Sequence, residues 1–462
     1  MKRSTGSTRP SATRYVASRA GARRARAGWR AAAMHPRAGV ALGALALGLA
    51  CVSGSGAARV GGARGADEGG RTVRVAVGSA ASGARVSGTG EWRLYDGGGR
   101  SVLVRGVGND AWTIERQGRQ LRAVRADGVP TAFRDGPLVA RPIDRGALVT
   151  WNGKRYRGEL ALVATDSGVL AVNRLPVEDY LRGVVPLEIG PRTAAEHAAI
   201  EAQAVAARSY TYVRLGATTP AVTASGRPYD MVSTVDDQVY GGADAERAVT
   251  DAAVAATANQ VIMYAGRVVN APYHSTCGGS TAEVQEVWYR QPSEPYLRRV
   301  SDRIPGTDDR YYCDASPRFR WTRSYDRASL ATVLDRYLRS YASVPPGGVG
   351  AVRFVSLTGT TPSGRAAGLR IDTDRGTYTL RGNDTRFVLR SAGGEILNST
   401  YFSVEPSVGP DGHVSQLTIR GTGYGHGIGM CQWGAIGRAR AGQDYRTILE
   451  TYYPGTTIGR AD

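Results

Sequence analysis

Glu188 stands in the run Val184-Val185-Pro186-Leu187-Glu188-Ile189, with apolar side chains on both sides. A carboxyl held among such neighbours loses hydration of its charged form, so its pKa rises. An acid that keeps its proton near neutral pH is what general acid catalysis needs. The plainer reading is a partly buried acid paired to an arginine. His426 lies within Gly423-Tyr424-Gly425-His426-Gly427, with Gln432 shortly after. A histidine among glycines reads as a hydrogen-bonding group on a surface loop, able to meet a hydroxyl without burying a charge. The bland alternative is a tight turn in which the ring caps neighbouring carbonyls.

His274 and Ser275 open the segment YHSTCGGST, where Gly278-Gly279 permits close backbone approach to a ligand. Arg208, Ser209 and Tyr210 follow one another on a helical stretch. A guanidinium there could grip a carboxylate bidentately and the phenol could stack on a sugar; otherwise Arg208 anchors the helix and Tyr210 fills core. A serine hydrolase built on Ser275 and His426 lacks the G-x-S-x-G elbow. A zinc site from His274, Cys277 and Cys313 is conceivable, but no C-x-x-C pair occurs, which argues against a closed structural site. The expectation is therefore no metal and no cofactor. Cys431 is assigned no chemistry, and His197 and Glu201, one turn apart, read as solvated.

These residues need elements to hold them. A capping-box pattern, Thr193 with Glu196 three residues on, predicts a helix running to Gly216. Ile200, Ala204, Ala207 and Thr211 mark its close-packing face. A second helix is expected from about Ala243 to Ala258, with Val249, Ala253 and Ala256 on one side. Strands Val261–Tyr264 and Arg267–Tyr273 should turn at Ala265-Gly266. Upstream, Val73, Val75 and Val77, then 92–95 and 101–104, alternate between Gly-rich turns, giving strand-and-hairpin grammar to about Val172. Strands return after about Val352, and short helices are expected over Gly434–Ala441 and Tyr445–Tyr453. The fold class is α+β, strand-rich with a few helices.

The formal net charge is +19, yet ten of the bases fall in residues 1–37 without a single acid. The remainder carries 49 bases against 40 acids, a modest excess that suits anionic polymers in general. No helix-turn-helix, zinc-finger or RNA-binding motif appears, so nucleic acid is not the expected partner. Residues 38–50 (AGVALGALALGLA) are apolar and too short for a span of about 20 residues. Behind a basic leader they read as an export signal. Cys51 follows them, so cleavage, lipidation at Cys51 or a retained anchor are the open alternatives, the last two attaching the chain to a membrane. Residues 52–71 read as a flexible linker.

The chain is then similar to a known family in several ordered segments. They are LPVEDYLRGVVPLEIGP (175–191), AIEAQAVAARSYTY (199–212), PYDMVSTVDDQVYGG (228–242), YHSTCGGST (273–281) and YLRRVSD (296–302). CDASPRFRW (313–321), RGNDTRFVLRS (381–391) and GYGHGIGMCQWGA (423–435) complete the set. Together they resemble the stage II sporulation protein D and amidase-enhancer family. The resemblance implies a peptidoglycan-acting domain over 158–458, behind a β-rich region at 72–157 and the leader at 1–51.

It further implies an exported cell-envelope protein and a lytic transglycosylase with Glu188 as the single catalytic acid and base. Asp236 and Asp237 are the reserve acids should hydrolysis occur instead. Arg208, Tyr210, Gln238, Tyr240, His274, Ser275, Gly278, Gly279, His426 and Gln432 are the implied substrate-binding set, and glycan strands the partner. The enhancer branch implies the alternative, a non-enzymatic module that binds glycan or a cell-wall amidase. Cys277 and Cys313 both fall in matching motifs, and in an oxidising compartment a disulfide between them is expected. The sequence departs from the family after the glutamate: Ile189-Gly190-Pro191 stands where Met-Pro is usual, and no tryptophan follows.

Overall fold

The computed structural model describes residues 71–218 and 227–461. The expected leader, Cys51 and the linker up to residue 70 lie outside the described residues. Two antiparallel arrays dominate the first part. One is a seven-stranded sheet in which Thr72–Ala80 pairs with Gly168–Pro176, which pairs in turn with Glu159–Thr165. Leu138–Pro142, Trp92–Tyr95 and Val102–Gly106 extend it on one side, and Met231–Val232 adds a short parallel strand at the other edge. The second, six-stranded sheet contains Ala84–Gly88, Trp112–Gln117 and Gln120–Val124. Alternating residues such as Val73, Val75, Trp92, Leu94, Ile114 and Leu121 face one shared core and are almost wholly buried. The first sheet runs without interruption across position 157, where the sequence suggested a boundary.

Directly after the last of these strands, Val177–Ile189 forms helix α1. Val177, Tyr180, Leu181, Val184 and Val185 recur at helical spacing and are buried. Glu178 and Asp179 occupy its first turn, where acids complement the helix dipole. Gly190, at φ 74°, ends it and returns its N–H to the Pro186 carbonyl at 3.2 Å.

The expected capping box exists: Glu196 accepts from the Thr193 N–H at 2.8 Å, and a short 3₁₀ turn, Ala194–Glu196, leads into helix α2, His197–Thr218. Ile200, Ala204, Ala207 and Thr211 are fully buried as expected. The helix runs two residues past Gly216. Helix α3, Ala248–Ala256, is shorter than expected and turned differently. Thr250, Ala253 and Val254 face inward, while Val249 is 48% exposed. Alanine-rich sequences define a face poorly, because too few large side chains vote for it.

The hairpin Gln260–Tyr264 to Arg267–Val268 turns at Ala265 and Gly266, both at positive φ, and its outer edge pairs with the distant strand Thr457–Arg460. Likewise Tyr273–His274 pairs in parallel with Met430–Cys431. Between these lies an excursion with a hydrophobic core of its own. It contains the helix Arg327–Tyr337 and two three-stranded sheets, and it buries Leu334, Leu369, Ile371, Leu417 and Ile419. The chain leaves at Phe319 and returns at Gly423, whose N–H bonds the Phe319 carbonyl at 2.8 Å. Among the described residues no helix is long and apolar enough to cross a membrane.

Candidate active site

The last turn of α1 places Glu188 where four segments of the chain meet. Its Oε1 accepts the Val239 N–H at 3.0 Å. Its own carbonyl accepts from Gln432 Nε2 at 3.0 Å, and the same amide donates to Gln203 on α2 at 3.1 Å. The Tyr273 hydroxyl and the Gln432 amide lie against the carboxylate. Protein surrounds Glu188 closely, yet the residue keeps some accessible surface. Burial raises its pKa to about 7; the Val239 N–H, Tyr273 and Gln432 pull the other way without cancelling it.

Gln238 fixes this arrangement from behind and is 1% exposed. Its carbonyl oxygen accepts from Tyr180 at 3.1 Å and Thr211 at 3.0 Å. Its amide donates to the Ala207 carbonyl at 3.3 Å and to the Tyr273 oxygen at 3.0 Å. All four hydrogen bonds an amide side chain can make are thus filled, and the Tyr273 hydroxyl is left its proton to offer Glu188. Tyr240 is further back, bonding Asn173 at 2.8 Å and packing on the Tyr180 ring at 5.0 Å.

His426 departs from the expectation of a surface loop. It is 1% exposed, with its ring 4.8 Å from Trp288 and 5.3 Å from His274. Nε2–H donates to the Tyr273 carbonyl at 2.8 Å, and Nδ1 accepts the Ile428 N–H at 3.1 Å. Both ring nitrogens serve the backbone, and burial pulls the pKa down to about 3, so the ring stays neutral. His426 therefore positions Tyr273, the residue against Glu188. His274 donates through Nδ1 to the Ile428 carbonyl at 3.2 Å and is buried, as is Ser275.

Arg208 differs more sharply. Its side chain has no accessible surface, and its guanidinium grips Glu178 through two bonds of 2.7 Å. It also donates to the carbonyls of Gln260 and Val254. A group engaged in locking α2 to α1 and α3 has no face left for a ligand. Tyr210 is 6% exposed and lies between Asp237 and Arg214, at 3.2 Å and 2.7 Å. Asp237 also accepts the Val232 N–H, so it holds a loop; Asp236 is exposed. Gly278 and Gly279 have φ of 80° and 117°; a Cβ on Gly278 would stand 2.6 Å from Thr422 Oγ1. Gly279 lines an open cavity of about 600 Å³ with Arg299, Arg303 and Tyr311.

Two residues that the sequence reading left out belong to this region. Tyr273 opens the YHSTCGGST motif, but its role depends on a hydroxyl held by Gln238. Trp433 is half-buried beside Gln432, with the Arg192 guanidinium 5.2 Å over its ring. It supplies an aromatic surface near the end of α1, where no tryptophan follows Glu188 in sequence.

A family model described as stage II sporulation protein matches residues 165–264, and one described as a domain of unknown function matches residues 307–429. An uncharacterized protein of Brachyspira hyodysenteriae is 30% identical over 309 residues, covering 67% of this chain and 73% of the relative. The amidase enhancer of Bacillus subtilis is 34% identical over 304 residues, 60% of this chain but only 40% of the relative's length. Stage II sporulation protein D of Bacillus subtilis is 30% identical over 308 residues, 63% of this chain and 77% of the relative. By these matches the chain belongs to the stage II sporulation protein D family.

Proposed function

We propose that the protein acts on the cell wall as a lytic transglycosylase, cutting peptidoglycan glycan strands with Glu188 as the only catalytic acid and base. The observation that carries this reading is the Glu188 carboxyl, closely surrounded by protein yet not sealed from solvent, with its pKa raised by burial to about 7. Protonated, it gives its proton to the glycosidic oxygen as the bond breaks through an oxocarbenium-like state. The carboxylate so formed removes the proton of the same sugar's primary hydroxyl, whose oxygen closes an anhydro ring on the anomeric carbon. No second protein carboxylate is required, which suits a site where Asp237 is committed to Arg214 at 3.1 Å. The Tyr273 hydroxyl stabilises the ionised half of the cycle. Trp433 offers its ring to a sugar face.

The test is incubation of the protein with intact and with peptide-stripped glycan strands. Anhydro-ended products are expected from the native protein, and Glu188→Gln should lower their rate by at least about a thousandfold while glycan binding persists. Reducing ends would show hydrolysis, and unchanged turnover in the variant would remove Glu188 from the chemistry.

A second reading is favoured by the 34% identity to a protein named amidase enhancer. There the chain would bind glycan or a cell-wall amidase and stimulate it without cutting. Tight glycan binding without products, with stimulation of an added amidase that survives Glu188→Gln, would support it. Both readings place the protein outside the cytoplasm, in the envelope.

A further inference from the structure

Cys277, Cys313 and Cys431 come from three separate segments and meet Asp302 in one buried cluster, their ligand atoms all within 4.8 Å of one another. We propose that this cluster is a closed structural site for a divalent zinc-class ion, bound by the three sulfurs and Asp302 Oδ2. The dimensions fit. Zinc–sulfur bonds of about 2.3 Å in a tetrahedron put neighbouring sulfurs about 3.8 Å apart. The Cys277 and Cys313 sulfurs are 3.4 Å apart, and Cys277 Sγ is 3.5 Å from Asp302 Oδ2. All four residues are buried, with Cys277, Cys313, Cys431 and Asp302 at 0% exposure, so water does not compete for the ion.

The surroundings are arranged as a metal site requires. Tyr452 donates to Asp302 Oδ1 at 2.6 Å and Arg438 at 3.3 Å. Those bonds occupy one carboxylate oxygen and turn the other toward the sulfurs, the work that outer partners do for metal ligands. Cys431 Sγ accepts backbone N–H groups from Cys277 at 3.1 Å and Gly434 at 3.2 Å. Such donors favour a thiolate. At Gly434 any Cβ would stand 2.4 Å from Asp302 Oδ2.

Charge is also matched. Three thiolates and a carboxylate around a divalent ion leave two negative charges, and two buried guanidiniums adjoin the cluster. Arg438 pairs with Asp302, and Arg365 donates to the Cys277 carbonyl at 2.9 Å. A disulfide between Cys277 and Cys313 would use two of the sulfurs. It would leave Cys431 with two N–H groups aimed at it, and Asp302 Oδ2 facing an apolar S–S bond, at the cost of burying a charge.

The test uses the full-length protein purified without chelator or reductant after export by its host, analysed for metal, for free thiols and by peptide mapping under denaturing conditions. One zinc per chain and no linked Cys277–Cys313 peptide are expected. Asp302→Asn and Cys431→Ser should each weaken zinc retention at least tenfold against a chelator. Because Cys431→Ser could fold badly, cobalt exchanged into the native protein supplies an independent reading: sulfur-to-cobalt charge-transfer bands of a tetrahedral three-thiolate centre. A Cys277–Cys313 disulfide with no bound metal in folded protein would overturn the proposal. So would zinc retained undiminished in folded Cys431→Ser and Asp302→Asn.

Discussion

At the scale of single residues, Glu188 has a thermodynamic consequence separate from chemistry. Its pKa in the folded chain is about 7 against an ordinary 4.5, so the native state holds this proton more tightly than the unfolded state does. Stability is therefore undiminished below about pH 4.5. It falls as the pH rises toward 7, where the folded protein must bury a charge. Glu188→Gln removes that charge. Denaturant unfolding should find the variant more stable than the native protein at pH 8, by up to about 3 kcal/mol, with no difference at pH 4. Equal stability of the two at pH 8 would mean that the carboxyl is freely hydrated. Activity under the transglycosylase reading should decline above about pH 7, as the acid loses its proton.

The apolar neighbours of Glu188 in sequence point to its raised pKa, while its role as the acid rests on the family resemblance. The glycines around His426 misled for a physical reason. They were read as a loop lying open to a polymer, but they are sites of crossing backbone. A Cβ on Gly425 would stand 2.8 Å from the His274 Cβ, and one on Gly429 would stand 2.0 Å from the Pro272 carbonyl. Absence of a side chain signals close approach, and sequence alone does not say whether a ligand or the protein itself makes it.

At the scale of elements, α1 decides where Glu188 points, and a buried ion pair helps to hold α1 against α2. Arg208 on α2 is wholly buried and reaches Glu178 in the first turn of α1. Removing one partner of such a pair leaves a guanidinium partly unmet in the interior, a larger loss than the pair's own net worth. Glu178→Gln should destabilise the protein by about 3 kcal/mol, read as a shifted denaturation midpoint. It should also lower turnover, because the far end of the same helix carries Glu188. A midpoint unchanged from native would show that Val254 and Gln260 alone satisfy Arg208.

Helix α1 was missing from the sequence reading although its signal was present. Val177, Tyr180, Leu181, Val184 and Val185 follow helical spacing, and the helix contains Pro186, a residue that usually ends or kinks one. Here it lies in the last turn, so the helix ends within three residues of it. The capping box of α2, the Ala265-Gly266 turn and the helices Gln432–Arg440 and Tyr445–Tyr452 were all readable from local pattern. The strand Arg320–Asp326 and the helix Arg327–Tyr337 were not anticipated.

At the scale of the whole molecule, the described residues form two hydrophobic cores, and the second is confined to the excursion between Phe319 and Gly423. Leu334 is fully buried in that second core. Leu334→Ala should cost about 2–5 kcal/mol there. Hydrogen exchange read peptide by peptide should quicken across 320–422 while α1 and α2 keep their protection. Uniform loss of protection would show that the cores unfold as one. Long-range convergence of this kind is what the sequence could not display. The three cysteines are 36 to 154 positions apart, and only the return of the chain after the excursion brings Cys431 to Cys277.

That return also sets a clock. A ribosome releases Glu188 early, but Gln432, the strand Met430–Cys431 that pairs beside Tyr273, and the final strand Thr457–Arg460 appear more than two hundred residues later. Until they dock, Tyr273 lacks the His426 bond that fixes its backbone, and the Glu188 carbonyl lacks Gln432. A nascent chain therefore carries its acid without the frame that makes the acid useful. On the transglycosylase reading, a chain interrupted before Met430 should carry the acid but not cut glycan.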